Sequence, residues 1–100
     1  MITVQFHDDF EESFLKIKDS RAIGRISARI VRAQKDGNLG ATRSLGDGLH
    51  EMKIDYGPGY RVYFTYRGSD LIILLCAGDK SRQQRDIAHA RNLMLTTKGY

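Results

Sequence analysis

The sequence has little of what disulfide-rich or membrane-spanning proteins contain. Its 100 residues include one cysteine, one proline and no tryptophan. A single cysteine, Cys76, cannot form an internal disulfide, which is typical of proteins from a reducing cytosol. The longest apolar run, residues 71–77, is too short to cross a bilayer as a helix, and residues 1–10 lack the apolar stretch of a signal peptide. We therefore expect a cytoplasmic protein without membrane contact.

The composition fits one globular domain over residues 1–100, since 41% of the residues are hydrophobic and 28% are charged. The net charge of +4 is unevenly distributed. Residues 1–20 carry two lysines against five acids (−3), whereas residues 21–46 carry six basic groups against one acid (+5). Residues 71–100 carry five basic groups against two acids (+3). Two basic blocks of this kind favour a polyanionic partner.

The first part of the chain predicts a short strand and two helices. Weak alternation indicates a strand over residues 2–6, and apolar residues at helical spacing predict a helix up to about Lys18. A second helix, capped by Asp19 or Ser20, should end near Gly37. Its predicted apolar stripe is Ala22, Ile26, Ile30 and Ala33. The connection is so short that we expect an antiparallel helical hairpin.

The rest of the chain predicts three strands and a last helix. Glycines interrupt residues 38–48, which we interpret as a loop. Strands are predicted over 50–56 and 60–66, joined by a turn at 57–59, and over 71–77, where burial on both faces is expected. A helix should follow over about 81–95. The expected fold is α+β, an antiparallel sheet of a short N-terminal strand and a three-strand meander, packed on one side by the helices.

The sequence contains no metal-ligand spacing, phosphate loop or nucleophile motif, so neither a metal nor a cofactor is expected. Chemistry must therefore come from charged side chains on the sheet. Arg61 should share a polar strand face with Lys53, because the turn between their strands is tight. Lys80 and Arg85 follow the last strand. Guanidinium and ammonium groups bind phosphate well, so this open polar face is predicted to hold a phosphodiester.

A structural alternative stands beside each of these assignments. Arg61 could form a salt bridge with Glu51 or Asp55 across the hairpin, as is common on exposed sheet faces. Lys53 and Arg85 could equally be solvated charges. Cys76 lies inside an apolar run and is interpreted as a small buried hydrophobe rather than as a nucleophile.

Further candidate RNA contacts lie outside this face. Four arginines fall on one face of the second helix, at steps of four, four and three residues: Arg21, Arg25, Arg29 and Arg32. They could track phosphates or meet an acidic partner, or they could form a solvated face that covers apolar surface. Arg82 and Arg85 are a second basic group. Tyr60 could stack on a base, although tyrosines on strands more often pack within the sheet.

Two segments resemble a known family. Residues 48–64, GLHEMKIDYGPGYRVYF, resemble the central hairpin of the HigB-like branch of the RelE/ParE toxin superfamily. The segment LLCAGDKS at 74–81, followed by QQRDI at 83–87, is similar to the same branch. The GNLG at 37–40 and the preceding helical hairpin also fit, so the resemblance covers nearly the whole chain.

The resemblance implies the toxin of a microbial type II toxin–antitoxin module. Such a toxin cleaves messenger RNA, usually on the ribosome, and a cognate antitoxin neutralises it. In this branch the antitoxin typically carries a helix-turn-helix domain, so that operator DNA is reached only through the antitoxin. Toxins of the family carry an arginine in the Gly-Tyr-Arg strand, and it matches Arg61. They often carry a basic residue just after the last strand, which matches Lys80. They often carry another basic residue in the preceding strand, which matches Lys53.

This sequence departs from some relatives, which use a tyrosine or histidine near the last helix as acid or base. Here the region offers Gln83, Arg85 and Asp86 instead. The hypothesis is metal-independent RNA cleavage in which Arg61 stabilises the phosphate charge, Lys80 serves the leaving oxygen and Lys53 assists the attacking hydroxyl. Two alternatives of the same fold remain, a ParE-like DNA gyrase inhibitor and a non-catalytic binding protein.

Overall fold

The computed structural model describes residues 2–97, which form five strands and three helices. In chain order they are β1 (Thr3–Phe6), α1 (Asp8–Leu15), α2 (Ser20–Asp36), β2 (Thr42–Gly46), β3 (Leu49–Ile54), β4 (Tyr60–Arg67), β5 (Leu71–Asp79) and α3 (Gln83–Met94). A 3₁₀ turn, Lys80–Arg82, precedes α3. The strand order is β1-β5-β4-β3-β2. The α+β class, with its helical hairpin, meander and C-terminal helix, is thus confirmed.

The sheet differs from the expectation at both edges. β1 pairs with β5 in parallel, while all other neighbours are antiparallel. Residues 42–46, interpreted above as loop, form the edge strand β2 against β3. β2 is mostly exposed and is interrupted by a bulge between Ser44 and Gly46. It therefore lacks the alternating apolar pattern by which half-buried strands are recognised.

The predicted limits and apolar stripe of α2 are confirmed. The Asp19 carboxylate accepts hydrogen bonds from the backbone N–H of Arg21 (2.9 Å) and of Ala22 (3.4 Å), which caps the helix. Gly37 adopts a left-handed conformation (φ 75°) and ends it. The four stripe residues are the buried residues of this helix. No helix in the described part of the chain is long and apolar enough to cross a membrane.

Two apolar cores lie on opposite faces of the sheet. The first core joins α1 and α2 to Met52, Val62, Phe64 and their neighbours. The second core joins Ala90 and Leu93 of α3 to the other face, which carries Leu49, Tyr63, Ile73, Leu75 and Cys76. The expectation of helices on one side only is therefore wrong for α3. β5 is apolar on both faces, so each face needs its own cover.

Candidate anion-binding site

Arg61 and Lys80 converge on the turn between β3 and β4. Gly59 in this turn has a φ of 89°, and its carbonyl accepts a 2.8 Å hydrogen bond from the backbone N–H of Lys80. A Cβ placed on Gly59 would lie 3.5 Å from Arg61 Nη1 and 3.7 Å from Lys80 Cβ. The turn therefore brings two basic residues from different elements to the same spot, and its left-handed backbone favours glycine at position 59.

These two residues line a concavity of about 380 Å³, here named the anion pocket. Its lining residues are Asp55, Tyr56, Gly57, Pro58, Gly59, Arg61 and Lys80. The cations come from the start of β4 and from the turn after β5, and the only carboxylate in the lining is Asp55. A small polar concavity with this excess of positive charge suits one phosphate group.

The Arg61 side chain is 6% exposed and is held on two sides. Nη1 donates a 2.9 Å hydrogen bond to the Tyr60 carbonyl, and Nε lies 3.7 Å from Glu51 Oε1. Nη2 has no hydrogen-bond partner within residues 2–97. The salt-bridge alternative with Glu51 is therefore present, yet the guanidinium still lines the pocket.

The expectation of an open polar face is wrong, because Glu51 is fully buried and Arg61 nearly so. Gln83 at the start of α3 donates a 2.8 Å hydrogen bond to Glu51 Oε2, and Arg43 Nη2 lies 3.3 Å from Glu51 Oε1. We call Arg43, Glu51, Arg61 and Gln83 the glutamate network. Sequence reasoning did not assign Arg43 because its strand was interpreted as loop, and it did not foresee that α3 covers this face.

Lys53 lies beside the anion pocket without lining it. Its Cα pairs with that of Arg61 across the β3–β4 ladder, so both side chains leave the same face of the sheet. The Lys53 side chain is half-buried and forms no ion pair with any residue from 2 to 97. The predicted proximity of Lys53 and Arg61 is thus present, while the assignment of Lys53 to catalysis stays a prediction.

The four arginines of α2 have different surroundings. Arg29 donates hydrogen bonds to the carbonyls of Lys53 (2.7 Å), Leu39 (2.7 Å) and Ala41 (3.2 Å), and burial lowers the pKa of its guanidinium. It therefore fastens α2 to the sheet. Arg25 lies 4.7 Å above the ring of Tyr56, a lining residue of the anion pocket. The remaining two, Arg21 and Arg32, are exposed.

Arg82, Arg85 and Tyr60 line a different groove, of about 700 Å³, between α1, α3 and the end of β5. Arg82 Nε lies 3.8 Å from Asp86 Oδ1. Tyr60 is 7% exposed, belongs to the first core and has its pKa raised by burial, so its ring packs rather than faces solvent. The groove also contains five acidic residues, Asp9, Glu12, Asp19, Asp79 and Asp86. Its mixed charge makes it less suited to a phosphate backbone than the anion pocket.

The surroundings of Cys76 are those of a packing residue rather than of a nucleophile. Cys76 is buried in the second core, and burial raises the pKa of its thiol to about 12, as expected for a packing residue. Across residues 2–97, histidine, cysteine, aspartate and glutamate side chains do not gather in groups of three or more that could hold a metal ion.

The fold is that of the RelE-type toxins. A mutant of the toxin RelE from E. coli in its free state superposes with a TM-score of 0.71 at 13% identity, covering 91% of this chain and 95% of that one. The E. coli RelBE toxin–antitoxin complex gives 0.63 at 14% identity, with coverage of 79% and 96%. A copper-bound mutant toxin from Helicobacter pylori gives 0.56 at 19% identity, with coverage of 82% and 98%.

The chain belongs to the family described as Phage derived protein Gp49-like (DUF891), whose model matches residues 13–95. An uncharacterised protein of Haemophilus influenzae is 48% identical over 84 residues, which are 84% of each chain. The RelE/ParE part of the resemblance is thus confirmed for the fold, while membership of the HigB-like branch stays a prediction.

Proposed function

We propose that this chain is the toxin of a type II toxin–antitoxin pair and that it acts as a ribonuclease on messenger RNA at the ribosome. The observation that carries the proposal is the convergence of Arg61 and Lys80 on the anion pocket. The RelE-type fold agrees with it, and so does the resemblance of the β3–β4 hairpin to the HigB-like toxins.

The reaction we propose needs only the RNA and these side chains. The ribose 2′-hydroxyl attacks the adjacent phosphorus, the bond to the 5′-oxygen breaks, and a 2′,3′-cyclic phosphate and a 5′-hydroxyl end result. Arg61, through Nη2, would stabilise the charge on the non-bridging oxygens. Lys80 would give a proton to the departing 5′-oxygen, and Lys53, on the neighbouring strand, would accept the proton of the attacking 2′-hydroxyl.

The structure favours some of the predicted RNA contacts over others. Arg25 lies against Tyr56 at the rim of the pocket, and Arg21 and Arg32 are exposed on the same helix. We propose that these three contact the RNA backbone as it leaves the pocket. Arg29 is not among these proposed RNA contacts, because its guanidinium donates hydrogen bonds to three backbone carbonyl groups.

A toxin of this kind requires a neutralising partner. We propose a cognate antitoxin with a helix-turn-helix domain, through which the complex would reach operator DNA. One structure of the same fold is that of the intact E. coli RelBE toxin–antitoxin complex, which supports a partner of this kind. A small helix-turn-helix reading frame beside this gene would support the pairing.

Induced expression with mapping of RNA ends tests the proposal. The parent should arrest growth and produce new ends within messenger RNAs, whereas Arg61→Ala and Lys80→Ala should each lower cleavage by roughly 100-fold or more, because each removes charge stabilisation at the phosphate. Lys16→Ala is the matched control, since it also removes one positive charge but from an exposed ion pair with Glu12.

Three results would contradict the proposal. Undiminished toxicity of both variants would show that the pocket is not the site. DNA damage without RNA cuts would identify a gyrase inhibitor. An absence of any growth arrest would leave a non-catalytic binding protein.

A further inference from the structure

We infer that Glu51 is a positioning residue, a buried carboxylate that fixes the Arg61 guanidinium at the anion pocket. Its effect on RNA cleavage rests on the proposed function, but its effect on Arg61 itself does not. Glu51 is not proposed to touch the RNA, because its side chain is fully buried below α3.

The sheet register places the two residues as diagonal neighbours. Glu51 pairs with Tyr63 and Lys53 pairs with Arg61 across the β3–β4 ladder, so Glu51 and Arg61 share one face. From there Glu51 Oε1 lies 3.7 Å from Arg61 Nε. Nη1 is bound to the Tyr60 carbonyl, so one hydrogen bond and one ion pair restrain the guanidinium, and Nη2 has no hydrogen-bond partner within residues 2–97.

The carboxylate is itself fixed from above. Gln83, in the first turn of α3, donates its hydrogen bond to Glu51 Oε2. Oε1 is left to the two arginines, Arg43 at 3.3 Å and Arg61 at 3.7 Å. A rigid connection therefore runs from α3 through Glu51 to the pocket, and α3 contributes to the geometry of a site that it does not line.

Stability alone gives no reason for this charge. Glu51 lies beside Leu49 and opposite Tyr63, both members of the second core, and both residues are fully buried. Apolar residues in place of a buried ion pair are often neutral or stabilising. The Arg61 Nε and Glu51 Oε1 atoms are also buried without a hydrogen bond in the described structure. A buried ion pair is weak evidence for stability, so a pair that ends at the pocket fits a role in orienting Arg61.

The test is NMR of the ¹⁵N-labelled full chain, following the Arg61 Nε–Hε signal and a titration with inorganic phosphate. Glu51→Gln keeps the size of the side chain and removes its charge. We expect the Arg61 Hε exchange rate to rise about tenfold and phosphate affinity to fall about three- to tenfold, because Arg61 Nε loses the buried charge beside it. RNA cleavage should fall more through kcat than through KM, because Arg61 acts most on the charge that develops at the phosphate.

Two control variants separate positioning from general loss of structure. Arg43→Gln removes the other cation near Glu51 Oε1 and should change the Arg61 signal much less than Glu51→Gln does, because the Arg43 side chain is 56% exposed and the Glu51 charge remains. Glu12→Gln removes an exposed carboxylate and should change neither measurement. If Glu51→Gln does not fold, Gln83→Met tests the same connection, because it releases Glu51 Oε2 and should loosen Arg61 to a smaller extent.

An Arg61 signal and a phosphate affinity equal to those of the parent in Glu51→Gln would overturn the inference. So would lost cleavage with an unchanged Arg61 signal, since Glu51 would then act on the substrate directly. Both NMR measurements remain decisive if the parent neither cuts RNA nor arrests growth, so that a failure of the proposed function and a failure of this inference are distinguishable.

Discussion

The two faces of the sheet are equally buried but differ in chemistry. The face below α1 and α2 is packed with apolar side chains such as Met52, Val62 and Phe64. The face below α3 mixes apolar residues with a buried glutamate, a buried arginine and a buried aspartate. Six side-chain polar atoms are buried without a hydrogen bond in the described structure, and five of them belong to this face or to α3: Gln5 Oε1, Glu51 Oε1, Arg61 Nε, Tyr63 OH and Asp86 Oδ2. The sixth is Arg29 Nε of α2.

This difference separates a face that stabilises the fold from a face that serves the site. Buried polar atoms without partners lower stability, so natural cores contain few of them. Here five of the six lie on the side of the sheet whose end opens into the anion pocket. We therefore expect the first core to contribute more to stability than the second core, which retains the polar groups around Arg61. Substitutions on the two faces should have correspondingly different effects.

The largest stability loss is expected on the first face. Phe64 is fully buried and stacks on His50 at 5.4 Å between ring centroids. Phe64→Ala should lower the free energy of unfolding by about 4 kcal/mol, measured by urea denaturation. Its chain neighbour Tyr63 points to the opposite face, and Tyr63→Phe should change stability by less than about 1 kcal/mol because it removes a hydroxyl without a partner. A loss in Tyr63→Phe as large as that in Phe64→Ala would show that the Tyr63 hydroxyl is a strong contributor to stability and would contradict the account of this face.

A smaller loss should follow from adding one methyl group to the second face. A Cβ at Gly78 would clash with Asp86 Oδ2, so Gly78→Ala should destabilise the protein by about 2 kcal/mol. Asp86→Ala in the same chain should restore most of that loss, which a double-mutant cycle in thermal denaturation would show. Strictly additive effects would mean that Gly78 is required for a reason other than room for Asp86.

The smallest expected effect is a pH-dependent increase in the free energy of unfolding. Burial raises the pKa of Asp86 from its ordinary value of 3.8, so the folded state keeps a proton that the unfolded state has lost. Stability should therefore fall as the pH rises from 3.8 through the raised pKa. Asp86→Asn should stabilise the chain by roughly 0.5–1 kcal/mol at neutral pH and by nothing in acid. A gain that is independent of pH would contradict this cause.

Local signals in the sequence were sufficient for several elements. The buried stripe of α2, its aspartate cap and its terminal glycine follow from spacing and from the conformations that these residues favour. The turn at 57–59 set the β3–β4 register, and with it the predicted approach of Lys53 to Arg61. All of these features depend on residues close together in the chain.

Features set by distant contacts could not be predicted in the same way. The edge strand β2 is recognisable only by its pairing with β3. The cover that α3 places over Glu51 and Arg61 turns an expected open face into a buried one. Arg29 carries the same charge as its three neighbours on α2, and only the position of the 39–41 segment makes it an anchor. Charge and spacing alone do not distinguish such roles.

The central claim is that Arg61 and Lys80 contact one and the same anion. A double-mutant cycle on RNA cleavage tests it most directly, with Arg61→Ala, Lys80→Ala and the double variant compared with the parent. We predict strong coupling, so that the double variant is about as inactive as either single variant. Effects that simply multiply would show that the two groups act at separate places and would contradict the account.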